Sequence, residues 1–155
     1  MQQLIPTKNC LDLTKAAEGC RLHAYPDPAS GNLPITIGWG NTCRADGTKF
    51  KLGDTVTQSE ADNLLQFTLN QKGKEVNHLL GSTVLTQNEF DALVDFEYNV
   101  GEGNLGGSSL LKMIKLNPAN PAIAAEFMKW EYANHEIFNV LVHRRLAESK
   151  LYFTK

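Results

Sequence analysis

Glu18 is the first residue in this chain whose position invites a chemical reading. It stands beside Gly19 at the end of a segment, residues 9 to 18, that is patterned as a short helix. A carboxylate at a helix C-terminus opposes the helix dipole, so its charge is disfavoured there unless a cation answers it. A carboxyl group that tends to keep its proton is what a general acid needs. Asp27 follows nine residues later on a proline-flanked turn, and Thr36 lies in the strand-like stretch Ile35-Thr36-Ile37. If hairpin strands bring the three together, the site holds a protonatable acid, an anionic carboxylate and a hydroxyl. Two carboxyls across a cleft are the machinery of glycoside hydrolysis. The same residues also read as a chance Glu, a turn-forming Asp-Pro and a strand Thr, and spacing alone favours that plainer account.

The elements that must position these groups follow from the hydrophobic pattern. Leu11, Leu13, Ala16 and Ala17 are available for burial on the first helix. Residues 20 to 56 hold Pro26, Pro28, Gly31, Pro34, Gly38, Gly40, Gly47 and Gly53, the vocabulary of a small antiparallel sheet with tight turns. From residue 57 the period becomes helical. Thr57-Gln-Ser-Glu60 and Thr86-Gln-Asn-Glu89 are both capping-box patterns. The first opens a run with Ala61, Leu64, Leu65, Thr68, Leu69, Val76, Leu79 and Leu80 near one face. The second opens a buried helix over 86–100, with Phe90, Leu93 and Val94 at helical spacing. Gly101 to Gly107 should break it as a loop, and further helices are expected near 108–116, 119–130 and 138–152. The fold class is therefore α+β and predominantly α-helical. A small β-containing lobe spans about 20–56 and a helical lobe about 57–155, within one domain.

Composition removes other classes. The 155 residues are 42% hydrophobic with a formal charge of −2, which excludes wholesale disorder. Residues 1–100 carry 8 basic and 12 acidic side chains and residues 101–155 carry 7 and 5, too mild an asymmetry for nucleic-acid binding. No apolar run exceeds the four residues Ala122 to Ala125, and the N-terminus lacks the regions of a signal peptide. A soluble cytoplasmic protein without a membrane anchor is expected. Cys10, Cys20 and Cys43 have no framework spacing and read as free thiols. Cys20, His23 and Cys43 lack a fourth ligand, so no metal is expected. Gly101-Glu-Gly103-Asn-Leu-Gly106 spells a dinucleotide fingerprint without the preceding strand it requires. Ser109-Leu-Leu-Lys112 lacks the partner motifs of an acyl-transfer site.

Matches in sequence order now accumulate. Glu18-Gly-x-Arg-Leu-x-Ala-Tyr-x-Asp27 and Thr36-Ile-Gly-Trp-Gly40 resemble the catalytic opening of the phage-type lysozymes, the endolysin family of glycoside hydrolases. Leu85 to Leu93, Phe96-x-Tyr-Asn-Val-Gly101, Ser108 to Leu111, Trp130 and Leu141-Val-x-Arg144-Arg145-x-x-Glu148 are similar to its later elements, so the resemblance runs from about residue 10 to 152. It implies a lysozyme-like two-lobed fold and a muramidase that cleaves the β-1,4 bond between N-acetylmuramic acid and N-acetylglucosamine. Glu18 would be the acid, with Asp27 and Thr36 holding a water. Arg144 or Arg145 would answer the Glu18 charge, and Tyr25 and Tyr98 would stand near the cleft or in the core. No cofactor is implied. The substrate would be bacterial peptidoglycan, and the enzyme, expected to be a monomer, would await release from the host cytoplasm by a separate holin. A lytic transglycosylase, an antibacterial effector and a non-catalytic glycan-binding descendant are the alternatives.

Four departures from the family pattern stand out. Eight residues separate Asp27 from Thr36, a longer turn than is usual. Asn41 replaces a His, and Val140 replaces a Gly before the last helix. Glu97 falls near the apolar stripe of the central helix, either solvated at its edge or lining the cleft as another acid.

Overall fold

Thr7 is extended and its hydroxyl accepts from the Asn9 N–H at 3.3 Å, which opens helix α1, Lys8–Ala17. The computed structural model describes residues 3–26, 33–133 and 136–155. The buried residues of α1 are Cys10 and Thr14, whereas Ala16 is exposed. Its inner face is thus partly polar: the Thr14 hydroxyl donates to Asp95 at 2.7 Å and also reaches the Cys10 carbonyl at 3.0 Å.

Strands β1, Arg21–Pro26, and β2, Ile35–Gly38, pair antiparallel, with Tyr25 opposite Thr36 and Pro26 opposite Ile35. The other described residues of the 20–56 region form turns and isolated bridges, such as His23 with Thr55 and Cys43 with Lys49. Gly38 and Gly40 adopt positive φ (64° and 104°). This lets the chain reverse so that Ile37 and Asn41 exchange backbone hydrogen bonds at 2.9 Å in both directions.

Both capping boxes form. Thr57 and Glu60 open α2, Gln58–Leu80, and Thr86 and Glu89 open α3, Gln87–Val100. α2 buries Ala61, Leu65, Leu69, Gly73, Val76 and Leu80. A Cβ at Gly73 would stand 2.8 Å from Pro6 Cδ, so the N-terminal segment crosses the helix where a side chain has no room. α3 is more deeply buried than a one-sided stripe predicts, since all eight residues from Phe90 to Glu97 are covered. Three of these are acids. Asp91 accepts from the Thr7 N–H at 3.0 Å, and Asp95 and Glu97 are bonded as described below.

Gly101, at φ 86°, ends α3 as expected, but the residues after it form a short helix, α4, Glu102–Gly107, where a loop was anticipated. The buried Leu105 anchors that turn, and the lack of a side chain at Gly106 lets it approach Leu79. α5 spans Ser109–Leu116 and α6 spans Ile123–Met128, shorter than the expected 119–130. Asn117 and Asn120 divert the chain first, their side chains accepting from the Ala119 and Ala122 N–H groups at 3.1 and 3.0 Å. An unanticipated two-residue pairing of β3, Tyr132–Ala133, with β4, Glu136–Ile137, precedes α7, Asn139–Tyr152.

The core sits where α3 is enclosed by α1, α2 and α7. Phe96 meets Phe127 and Trp130 edge-on at centroid distances of 5.6 and 5.5 Å, and Phe127 meets Tyr152 at 5.8 Å. Among the described residues no helix is long and apolar enough to cross a membrane.

Candidate active site

Glu18 is the residue at which α1 stops. Its backbone is extended (φ −103°, ψ 149°), and its N–H still donates to the Thr14 carbonyl at 3.0 Å. The carboxylate at the negative end of the helix is answered by a cation from 126 residues further along the chain. Arg144 Nη1 donates to Glu18 Oε1 at 2.6 Å, a charge-assisted contact. The same guanidinium grips Asp95 through Nε at 3.0 Å and Nη2 at 2.8 Å, a bidentate arrangement. Asp95 in turn accepts from Thr14. Three helices are thereby tied at one point, and the Arg144 side chain is almost fully buried. Burial works against its charge, but Asp95 and Glu18 outweigh it and raise its pKa further, so it is a permanent cation.

Arg145 does not share this role. Its Nη2 donates to Asn99 at 2.9 Å and to Glu148 at 2.8 Å, and its guanidinium lies 4.7 Å from the Phe96 ring centroid. Burial depresses its pKa, and burial together with the neighbouring Asp95 pushes the Glu148 carboxyl upward. Of the two arginines, Arg144 alone contacts Glu18.

A cleft of about 370 Å³ lies against Glu18 and is lined by Trp39, Gly40, Asn41, Thr42, Cys43, Thr68, Lys72, Tyr98 and Asn99. Tyr98 is held at its edge, its hydroxyl donating to the Trp39 carbonyl at 2.8 Å, and burial raises the phenol pKa. Asn41 donates to Thr68 Oγ1 at 2.9 Å and so links the β region to α2 without a titratable group. Thr36 and Tyr25 face each other across the β1–β2 ladder but are not among the described residues lining this cleft. The Thr36 hydroxyl donates to the Pro34 carbonyl at 3.2 Å, and Arg21 stacks 4.3 Å from the Tyr25 ring centroid. Asp27 lies outside the described residues.

Sequence reasoning missed Asp95 and misjudged the surroundings of Glu97. Glu97 is neither solvated nor a cleft-lining acid. It is fully buried beneath the cleft wall, with Oε1 3.2 Å from Lys72 Nζ. The signal available for both residues was an acid placed within or next to the apolar Phe90–Phe96 pattern, which demands a partner. Among the described residues no cluster of three or more His, Cys, Asp or Glu is positioned to hold a metal ion. Ser109 donates to Glu126, a structural bond between α5 and α6.

This architecture has known counterparts. The solved endolysin of Escherichia coli O157:H7 phage FAHEc1 superposes with a TM-score of 0.83 at 30% identity, covering 99% of this chain and 94% of that one. The muramidase domain of SpmX from Asticaccaulis excentricus gives 0.81 at 31% identity, covering 99% and 100%. In sequence, the endolysin of Salmonella phage P22 is 32% identical over 148 residues, 96% of this chain and 97% of that protein. The endolysin of Bacillus phage PZA is 36% identical over 143 residues, 92% of this chain. The chain spans about half the length of that Bacillus relative and its B103 counterpart. The family model described as phage lysozyme matches residues 15–148, a segment that begins just before Glu18 and ends just after the arginine that holds it, and the chain belongs to that family.

Proposed function

We propose that this chain hydrolyses bacterial peptidoglycan as a muramidase, cleaving the β-1,4 bond between N-acetylmuramic acid and N-acetylglucosamine. The observation that carries the reading is Glu18 at the mouth of a cleft, with one carboxylate oxygen fixed by Arg144 and with its side chain 28% exposed. A carboxyl so oriented, with access to the cleft, is suited to donate a proton to the leaving glycosidic oxygen. Asp27 and Thr36 would hold the attacking water on the opposite face, which gives inversion and requires the two carboxyls to stand roughly 6.5–9.5 Å apart. The protein residues carry this chemistry without a cofactor. Acting as a monomer, the enzyme is made in the host cytoplasm and reaches the cell wall after a separate holin opens the membrane.

One observation favours a second reading. The Thr36 hydroxyl is engaged with Pro34 and does not line the cleft, so a lytic transglycosylase that needs no positioned water is the rival. Digestion of purified sacculi separates the two. Muramidase action yields ordinary reducing ends, the α-anomer first, and Glu18→Gln abolishes turnover. Predominantly 1,6-anhydro ends would establish the transglycosylase instead, and early β-anomer would refute inversion.

A further inference from the structure

We propose that Lys72 is a specificity-determining residue of this cleft, offering its ammonium to a carboxylate on the peptide stems of the glycan strand. The inference rests on the peptidoglycan reading above and adds the part of the substrate that Lys72 recognises.

Lys72 and Glu18 are the charged side chains that line the cleft among its described residues, and Lys72 is its cation. Peptidoglycan strands are chemically uneven. The N-acetylated sugars are neutral, and the lactyl carboxyl of the muramic acid is consumed in the amide that bears the peptide. Free carboxylates therefore reside on the stems, and a cation in the cleft finds its counterpart there.

Lys72 is built to keep that role. It projects from α2 with its side chain 26% exposed, and Nζ stands 2.9 Å from Glu75 Oε2 and 3.2 Å from Glu97 Oε1. Glu97 Oε2 is buried with no hydrogen-bond partner when both acids are ionised. A proton on Glu97, donated toward Glu75, resolves that deficit. Burial, then the Glu75 hydrogen bond, raises the Glu97 pKa to about 8, with Lys72 opposing the rise. Glu75 is shifted the other way: burial raises its pKa, but bonds from Lys72 and Glu97 outweigh that and lower it. Lys72 and Glu75, both on α2, are the charged groups acting on Glu97 among the described residues.

The charge arithmetic gives the consequence. With Glu97 protonated, one ammonium faces one carboxylate, and the cluster is neutral. With Glu97 ionised, the ammonium faces two carboxylates and the cluster carries −1. Loss of the proton therefore binds Lys72 more tightly to its own protein and repels an incoming anion. Recognition of the stem is strongest below about pH 8 and fades above it.

The test uses soluble glycan strands bearing native stems, and the same strands after carbodiimide coupling to methylamine has converted the stem carboxylates to neutral amides. Wild type should show a KM about 3- to 10-fold lower on native strands than on amidated ones, the range of a partly exposed charge contact. Lys72→Met should erase that preference, with the loss in KM, and Lys72→Arg should restore most of it. On native strands the wild-type KM should rise between pH 7 and 9, and in Glu97→Gln it should stay flat. Equal KM values for wild type on both strands would overturn the proposal while leaving the muramidase reading standing. So would an equal loss for Lys72→Met on both, the mark of a structural role. Failure of wild type to cut either strand would remove the functional reading, and this proposal with it.

Discussion

Replacing Arg144 with Met should be among the most damaging single changes in this protein outside the apolar core. The methionine fills similar volume, so the cost is electrostatic. Asp95, fully buried, would lose two guanidinium contacts to its carboxylate and one to its carbonyl, keeping among the described residues the Thr14 hydroxyl as its side-chain donor. Glu148 would lose its Arg144 neighbour at 3.5 Å and keep only Arg145. Breaking a buried pair by removing one partner costs about 3–5 kcal/mol, because the surviving charge is left uncompensated. For a chain of this size that is a fall in Tm of roughly 10–15 °C, readable by calorimetry at pH 7. The reasoning makes a sharper demand of the double variant. Neutralising Asp95 as Asn alongside Arg144→Met removes the stranded charge, so the pair should unfold at a higher temperature than Arg144→Met alone. A Tm for Arg144→Met within about 3 °C of wild type, or no recovery in the double variant, would refute the account of α1, α3 and α7 as joined by charge.

Other expectations are simpler. Leu93→Ala, at a fully buried site on α3, should cost about 2–5 kcal/mol by urea unfolding, and a loss below half a kcal/mol would show that α3 is peripheral. Glu97 binds a proton in the folded state up to about pH 8 but releases it near its ordinary value when unfolded, so its contribution to stability declines as pH rises between those limits. Glu97→Gln removes that decline and should be more stable than wild type by about 2–4 kcal/mol more at pH 8.5 than at pH 4.5; a difference independent of pH contradicts it. Arg145→Ala leaves the Arg144–Glu18 contact intact, so below its own Tm it should keep far more lytic activity than Arg144→Met. Comparable inactivation of both folded variants would argue against a special role for Arg144. Cys20→Ala should retain substantial activity, since among the described residues the thiol's polar contact is Gln58 Nε2 at 3.7 Å, and a folded but inactive variant would reopen a thiol mechanism.

Capping made much of the helical layout readable in advance. Thr57 with Glu60 and Thr86 with Glu89 are local devices whose partners lie three residues apart, so pattern alone locates the starts of α2 and α3. Glu18 was legible in part: a helix-end carboxylate asks for a cation, but spacing alone favoured a plainer account, and it was the family resemblance that pointed to Glu18 and to two arginines in the last helical pattern. Which of them answers was not legible. Arg144 and Arg145 differ by one position, about 100° of helical rotation, and only packing against Asp95 selects between them. The same limit hid the environment of Glu97, because Lys72 and Glu75 arrive from another helix. The 101–107 segment misled through its glycines, whose low helix propensity was offset by burial of Leu105. The β3–β4 pairing offers only two residues per strand and no Asn-Gly or Asp-Gly turn signal.

The contact between Glu18 and Arg144 also imposes an order on synthesis. The two residues are 126 positions apart, so a ribosome that has already released α1 must still make nearly the whole helical region before the arginine exists. Until α7 docks, the acid has no cation at its helix end, and Asp95 has no guanidinium to seat it in the core. A nascent or prematurely terminated chain lacking α7 thus carries Glu18 without its anchor, and the fully anchored site forms only in molecules translated through that helix.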